Sequence, residues 1–349
     1  MKGRGWAAKL SRLLLWGLML SLLGCAAPTQ GPLPRLAEKK PSQGLVPQEY
    51  LCPGGGPQEA PDPGLAKEIQ AFLEENGMLG GIPWGMASDL PMVLNGPVQM
   101  YLRHFSHPKN AVFKEYLARS GRYLPMMRRI FQENGLPQDL VYLALVESGF
   151  SPWARSPAEA VGPWQFIEGT ARRYGLKVDA WVDERRDPEK STRAAARYLK
   201  DLYHQFGCWY LAAAGYNAGE HRVEGVVHRH STWDFWTMAQ KKLLPQETCN
   251  YVPQIIAAAL IAKAPAKYGI TQVSYQSPLR LERVKVPGGT NLRWFSEAAD
   301  IPYQTLKEFN PELKRDMAPR NREEYLLKVP AAMKKGAAKA AQVCWKLED

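Results

Sequence analysis

From residue 95 to about residue 270 the apolar positions recur at helical spacing. Val98, Tyr101, Leu102 and Phe105 fall at i, i+3, i+4 and i+7, the stripe of one helix face. Phe113, Tyr116 and Leu117 continue the pattern, then Tyr123, Met127, Ile130 and Phe131, with Gly135 as a stop. The next stretch, residues 136–150, is apolar on nearly every face: Leu140, Val141, Leu143, Ala144, Leu145 and Val146. Such a helix belongs in a core. Pro137 suits its first turn, Asp139 complements the N-terminal dipole, and Gly149 and Pro152 end it. The spacing predicts further helices over 170–174, 191–206, 208–216, 223–228, 247–263 and, less regularly, 233–240. Strand-like runs are scarce before residue 280, so this part reads as mainly α.

The pattern then changes. Residues 281–286 alternate like a strand, 292–300 and 303–310 read as two short helices, and 325–330 as a closing strand. A small βααβ module is expected over 279–330, with residues 331–349 as a basic helical tail or a disordered end.

The start of the chain has a different logic. Lys2, Arg4, Lys9 and Arg12 precede an apolar run from Leu13 to Leu23, too short for a comfortable membrane span. The run ends in Leu22-Leu23-Gly24-Cys25, which resembles a bacterial lipoprotein cleavage box. Residues 1–24 are thus expected as a signal peptide and Cys25 as the lipidated residue. Several acyl chains would anchor it stably. The absence of Asp after Cys25 favours an outer-membrane address by the enteric sorting rule, facing the periplasm. Residues 25–94 are rich in Pro and Gly and read as a linker, with a short helix over 65–75.

Composition adds bounds. The chain has 349 residues, 45% of them apolar, and a formal charge of +11. That charge admits nucleic acid, anionic lipid or an acidic polymer as partner without choosing among them; the secretory start excludes nucleic acid. Besides Cys25 there are Cys52, Cys208, Cys249 and Cys344. Cys208 and Cys249 are the expected pair if any forms in an oxidising envelope, buried free thiols being the alternative. No Cys or His spacing suggests a metal, and no cofactor is expected.

The candidate chemistry starts at Glu147. It follows Leu143 by one turn, on the same apolar face. Desolvation raises a carboxyl pKa, and a carboxyl protonated near neutrality is a general acid. The competing interpretation is a buried structural Glu satisfied by Arg or backbone donors. Three other stretches carry polar groups beside small residues. Residues 160–166 hold Gln165 after the Gly162-Pro163 turn. Residues 212–220 hold Tyr216 and Asn217 between glycines, with polar tips suited to carbohydrate. Residues 244–254 look like a helix start with Thr248 or Glu247 near the cap and Tyr251 one turn in. Each alone reads as a loop or a helix end.

Together, Glu147-Ser-Gly-Phe, Gly162-Pro-Trp-Gln, Gly215-Tyr-Asn-Ala-Gly and Glu247-Thr-Cys-Asn-Tyr-Val resemble the catalytic domain of the soluble-lytic-transglycosylase (SLT) family. The likeness covers about residues 95–270. It implies a lysozyme-like helical fold that cleaves peptidoglycan glycan strands; the chain is expected to be a monomer. By matched position Glu147 would be the catalytic acid. Ser148, Gln165, Tyr216, Asn217 and Tyr251 would line the sugar site, with Glu247 in its wall. Gly215 stands where the family often has Ala or Val, and Pro163-Trp164 where Leu-Met is common. Residues 281–330 resemble a LysM module, a binder of N-acetylglucosamine-containing glycans.

A retaining lysozyme-type mechanism needs a second carboxylate close to the first. The candidates Glu168, Asp179, Asp183, Glu184 and Asp187 sit in or near a charged segment that reads as a solvated loop. One carboxyl fits the non-hydrolytic route that the resemblance implies. There Glu147 is acid and then base, and the muramic residue closes on its own 6-hydroxyl as a 1,6-anhydro sugar. A lysozyme-type hydrolase and a non-catalytic wall-binding lipoprotein are the alternatives.

Overall fold

The computed structural model describes residues 90–107 and 110–346. The expected signal peptide, Cys25, the linker helix and Cys52 lie outside these residues. The fold class is as expected: mainly α, with a small two-stranded module after it. No helix among the described residues is long and apolar enough to cross a membrane.

Helix α1, Gly96–Ser106, starts where Asn95 accepts a hydrogen bond from Val98 N at 3.1 Å. Helix α2, Ala111–Glu133, starts on Asn110 in the same way and buries Leu117, Met127, Ile130 and Phe131. The next helix is not continuous from Pro137. Gln138–Val141 form a 3-10 turn, and α3 runs from Tyr142 to Ser148. Asp139 is 3% exposed and paired with Lys263 Nζ at 2.5 Å, so it serves a tertiary ion pair rather than only the helix dipole. Tyr142, Leu143, Ala144 and Leu145 are all buried. Burial of Leu143 and of Leu145 contributes about 1.5–3 kcal/mol each. Gly149 ends the helix in the left-handed region, φ 58°. A Cβ there would lie 2.2 Å from the Tyr116 ring, so glycine is required twice over.

Helices α4 (Glu168–Arg173), α5 (Pro188–Phe206), α6 (Trp209–Ala218), α7 (Glu220–His230), α8 (Phe235–Gln240) and α9 (Gln246–Lys263) complete the same core, and α9 is the one that packs along α3. Asp187 caps α5, accepting from Glu189 N and Lys190 N at 2.9 Å each. The α5–α6 contact explains Gly215. A Cβ there would meet Phe206 at 2.9 Å and Leu202 at 3.0 Å, so the bulkier residues common in the family would need a wider helix pair.

The second core is built on β1, Leu281–Pro287, and β2, Glu324–Pro330, paired antiparallel with Val284 opposite Leu327. Helices α10 (Leu292–Ala299) and α11 (Tyr303–Phe309) cover them. Residues Lys334–Lys346 form α12, with Ala337, Ala340, Ala341 and Cys344 buried in that same core. The end of the chain is therefore a packed helix over these residues.

Two expectations are corrected here. The charged segment 183–187 is not a solvated loop: Asp183, Glu184, Arg185 and Asp187 are each 6% exposed or less. It is buried because the C-terminal module docks on it. Val182 bridges Leu313, Asp183 N donates to Glu312 O at 2.8 Å, and Lys314 N donates to Trp181 O at 2.9 Å. Lys328 Nζ lies 2.7 Å from Asp187 and 2.9 Å from Glu312, all three buried. Nor do Cys208 and Cys249 pair. Cys208 is disulfide-bonded, but Cys249 is a buried free thiol whose Sγ points to Leu244 O at 3.5 Å.

Candidate active site

Glu147 sits at the C-terminal end of α3, where the buried helix meets the turn at residues 162–165. Its side chain is half-buried. Tyr251, from the first turns of α9, donates its hydroxyl to Glu147 Oε1 at 2.5 Å. Desolvation pushes the Glu147 pKa up from 4.5 to about 7; the Tyr251 hydrogen bond opposes this and the charge of Glu247 adds to it. Near neutrality the carboxyl is thus a mixture of acid and base forms, the condition for one group to do both jobs. Burial and the neighbouring Glu147 and Tyr216 push the Tyr251 pKa well up, so this phenol stays a donor.

Ser148 is one residue on, but its hydroxyl faces away along the backbone. It donates to Pro163 O at 2.9 Å and accepts from Ser151 N at 3.1 Å. It therefore ties the helix end to the turn. Gln165 is held with φ 46°, and its amide nitrogen donates to Gly162 O at 2.9 Å and Ala154 O at 3.3 Å. Gly162 takes φ 86°, and a Cβ there would come within 1.9 Å of Arg185 O. The departure at Trp164 has a structural use: its ring is fully buried on Phe131, and its Nε1 donates to Thr192 at 2.9 Å.

Tyr216 and Asn217, at the end of α6, are half-buried rather than offered freely. Tyr216 donates to Trp164 O at 2.7 Å, and Asn217 Oδ1 accepts from Thr248 at 2.8 Å. Burial and the Glu147 charge push the Tyr216 pKa well up. Glu247 is exposed in the first turn of α9 and acts on Glu147 through space. The site thus brings α3, the 162–165 turn, the end of α6 and the start of α9 to one place. Among the residues expected, Glu147 and Tyr251 touch directly, while Ser148, Gln165, Tyr216 and Asn217 fix the walls.

The candidate second carboxylates are all committed elsewhere. Asp183 holds Arg185 at 2.8 Å, Glu184 holds Lys190 at 2.7 Å, and Asp187 holds Lys328. Glu168 pairs with Arg172 at 2.8 Å, and Asp179 accepts from Trp181 N and Val182 N. Two contributors are not singled out for the site by sequence. Thr248, expected near the helix cap, lies instead on the Tyr251 face of α9, three residues away, a spacing that reveals it, and bonds Asn217. Arg185 staples the site loop through Glu159 O and Phe166 O at 3.0 and 3.1 Å, and no local pattern announces that. Among the described residues no group of three or more His, Cys, Asp or Glu is placed to hold a metal ion.

Residues 127–238 match the family model of the transglycosylase SLT domain, and residues 280–342 that of the LysM-like domain of lytic transglycosylase MltD. Membrane-bound lytic murein transglycosylase D of Escherichia coli is 35% identical over 62% of this chain and 47% of its own length. The chain thus spans about half the length of that relative. Peptidoglycan transglycosylase gp16 of Escherichia phage T7 is 33% identical over 41% of this chain and 10% of its own. A solved structure of a lytic transglycosylase Slt inactive mutant from Pseudomonas aeruginosa is 27% identical, covering 44% of this chain and 25% of that one, with a TM-score of 0.34.

Proposed function

We propose that this chain, with its SLT domain and its LysM-like domain, is a peptidoglycan lytic transglycosylase in which Glu147 is acid and then base within one turnover. The observation that carries the reading is the half-buried Glu147 carboxyl, desolvated to a pKa of about 7 and held by Tyr251 through one oxygen. The second oxygen is left for substrate.

In this reading Glu147 gives its proton to the glycosidic oxygen between N-acetylmuramic acid and N-acetylglucosamine. The bond from that oxygen to the muramic anomeric carbon breaks, and the muramic acetamido group supports the positive carbon. The Glu147 carboxylate then takes the proton of the muramic 6-hydroxyl, whose oxygen bonds the anomeric carbon. Glu147 ends protonated, as it began, and no water is consumed. Tyr251 stabilises the carboxylate half of the cycle by its hydrogen bond. The raised pKa makes the acid half accessible at neutral pH.

The same reading places the enzyme in the cell envelope, anchored by lipid at Cys25, on the outer membrane facing the periplasm, as a monomer. The basic and apolar start of the chain supports this, as does its likeness to the membrane-bound relative. The LysM-like module would hold glycan and raise the effective substrate concentration.

Mass spectrometry of products from purified sacculi tests the reaction. Anhydro-muramic ends, lighter by one water than reducing ends, are expected. Reducing ends instead would make the enzyme a muramidase. Glu147→Gln is expected to lose about 10²–10⁴-fold in rate, the usual scale for a general acid. Release at the wild-type rate would remove Glu147 from the chemistry.

A further inference from the structure

Two consecutive arginines beside the site are treated in opposite ways. Arg185 is 6% exposed and fully engaged: Nε and Nη2 bond Asp183 at 2.9 and 2.8 Å, and Nη1 bonds two carbonyls. Arg186 is half-buried with no such partners. Its Nε is buried without a hydrogen bond, and its guanidinium makes no ion pair among the described residues. Its one contact of note is with the Trp153 ring, whose centre lies 5.7 Å from Cζ. Trp153 is 46% exposed, a large apolar surface to leave in water. A cation–π contact of this kind returns only about 0.5–1 kcal/mol. Partial desolvation of a guanidinium without an anion is costly. The pair is a poor bargain for stability alone, yet well formed as a receptor.

Its position is also defined. Trp153 follows Glu147 in the segment that leaves α3. The Arg186 backbone runs beside Gly162, where a Cβ would lie 3.3 Å from Arg186 N. Gly162 opens the turn whose Pro163 O receives the Ser148 hydroxyl. Trp153 and Arg186 therefore border the same turn that walls Glu147.

We infer that Trp153 and Arg186 form a subsite for the carboxylates of the peptide stems carried on the glycan strand. The inference rests on the function proposed above. The sugars of that polymer are neutral once the lactyl group is amide-linked to its stem, so the anionic groups are the stem carboxylates. A guanidinium can take a carboxylate through two parallel N–H bonds, and the indole can cover the apolar side of the stem. The other chemistry an exposed Trp offers, stacking on a sugar ring, needs no cation beside it.

The test is binding to the full-length chain carrying Glu147→Gln, read by calorimetry. The probe is a soluble stem-bearing muropeptide, in its acid form and after carbodiimide amidation of its carboxylates. The acid form is expected to bind about tenfold tighter, which is about 1.4 kcal/mol. Adding Arg186→Gln is expected to abolish that preference, with Arg186→Lys restoring part of it. Thermal unfolding of each variant checks that the fold is kept. Equal binding of the two probes overturns the subsite. So does a preference that survives Arg186→Gln, and so does a loss on Trp153→Ala that is equal for both probes, which marks sugar stacking. Because no turnover is read, a failed transglycosylase assay on the wild type is a separate result and does not imitate these.

Discussion

Glu147→Gln should stabilise the protein, and by an amount set by pH. The folded carboxyl has a pKa of about 7 against an ordinary value of 4.5. Between these values the native state holds a proton that the unfolded chain has released. Stability linked to this group is full below pH 4.5 and is lost as pH rises through 7. Each unit of difference is worth about 1.4 kcal/mol, so the loss reaches about 3 kcal/mol by pH 8. Glutamine is neutral throughout and suffers no such loss. The variant should match the wild type near pH 4 and exceed it by about 3 kcal/mol at pH 8. Urea unfolding of both proteins at pH 4, 6 and 8 measures this. All other titrating groups are shared, so they cancel in the difference. A difference that stays flat with pH, or that favours the wild type as pH rises, would show that Glu147 is not held against its solvation, and the general-acid argument would fail with it.

Tyr251→Phe removes the donor that pulls the Glu147 pKa down, so the pKa should rise further. The alkaline limb of kcat/KM against pH should move upward, with a lower kcat because the carboxylate half loses its support. An unmoved limb with full activity would refute the contact. Lys328→Ala strands Asp187 and Glu312 in the interior. Burial alone would push Asp187 up, but the Lys328 charge outweighs it and holds the carboxyl below its usual range. The variant should lose about 3–5 kcal/mol at pH 7, measured by denaturant unfolding, and less in acid, where the wild type also gives up this pair.

The helices were legible because their apolar spacing is strong, and Glu147 was legible because a charge inside an apolar stripe stands out. What local pattern cannot supply is the partner. Tyr216 and Asn217 read as tips offered to a sugar, yet their partners are Trp164 O and Thr248, 52 and 31 residues away. Asp183 to Asp187 read as solvated because charge density in sequence usually means water; the residues that dry them, Glu312 and Lys328, lie more than 120 residues on.

Strand β2 makes the reason plain. Leu327 and Val329 are 0% exposed and face the second core, so alternation sends Lys328 to the opposite side. For an isolated module that side is solvent, and a lysine there is ordinary. In this chain it is the capped start of α5. Asp187 both starts that helix and receives Lys328. One residue away, Arg186 borders the site turn, and Arg185 staples the same loop. The C-terminal module therefore braces the segment that shapes the site. An apolar face on one side and a buried lysine on the other side of one short strand are the mark of docking, and they become readable only once both sides of the strand are seen.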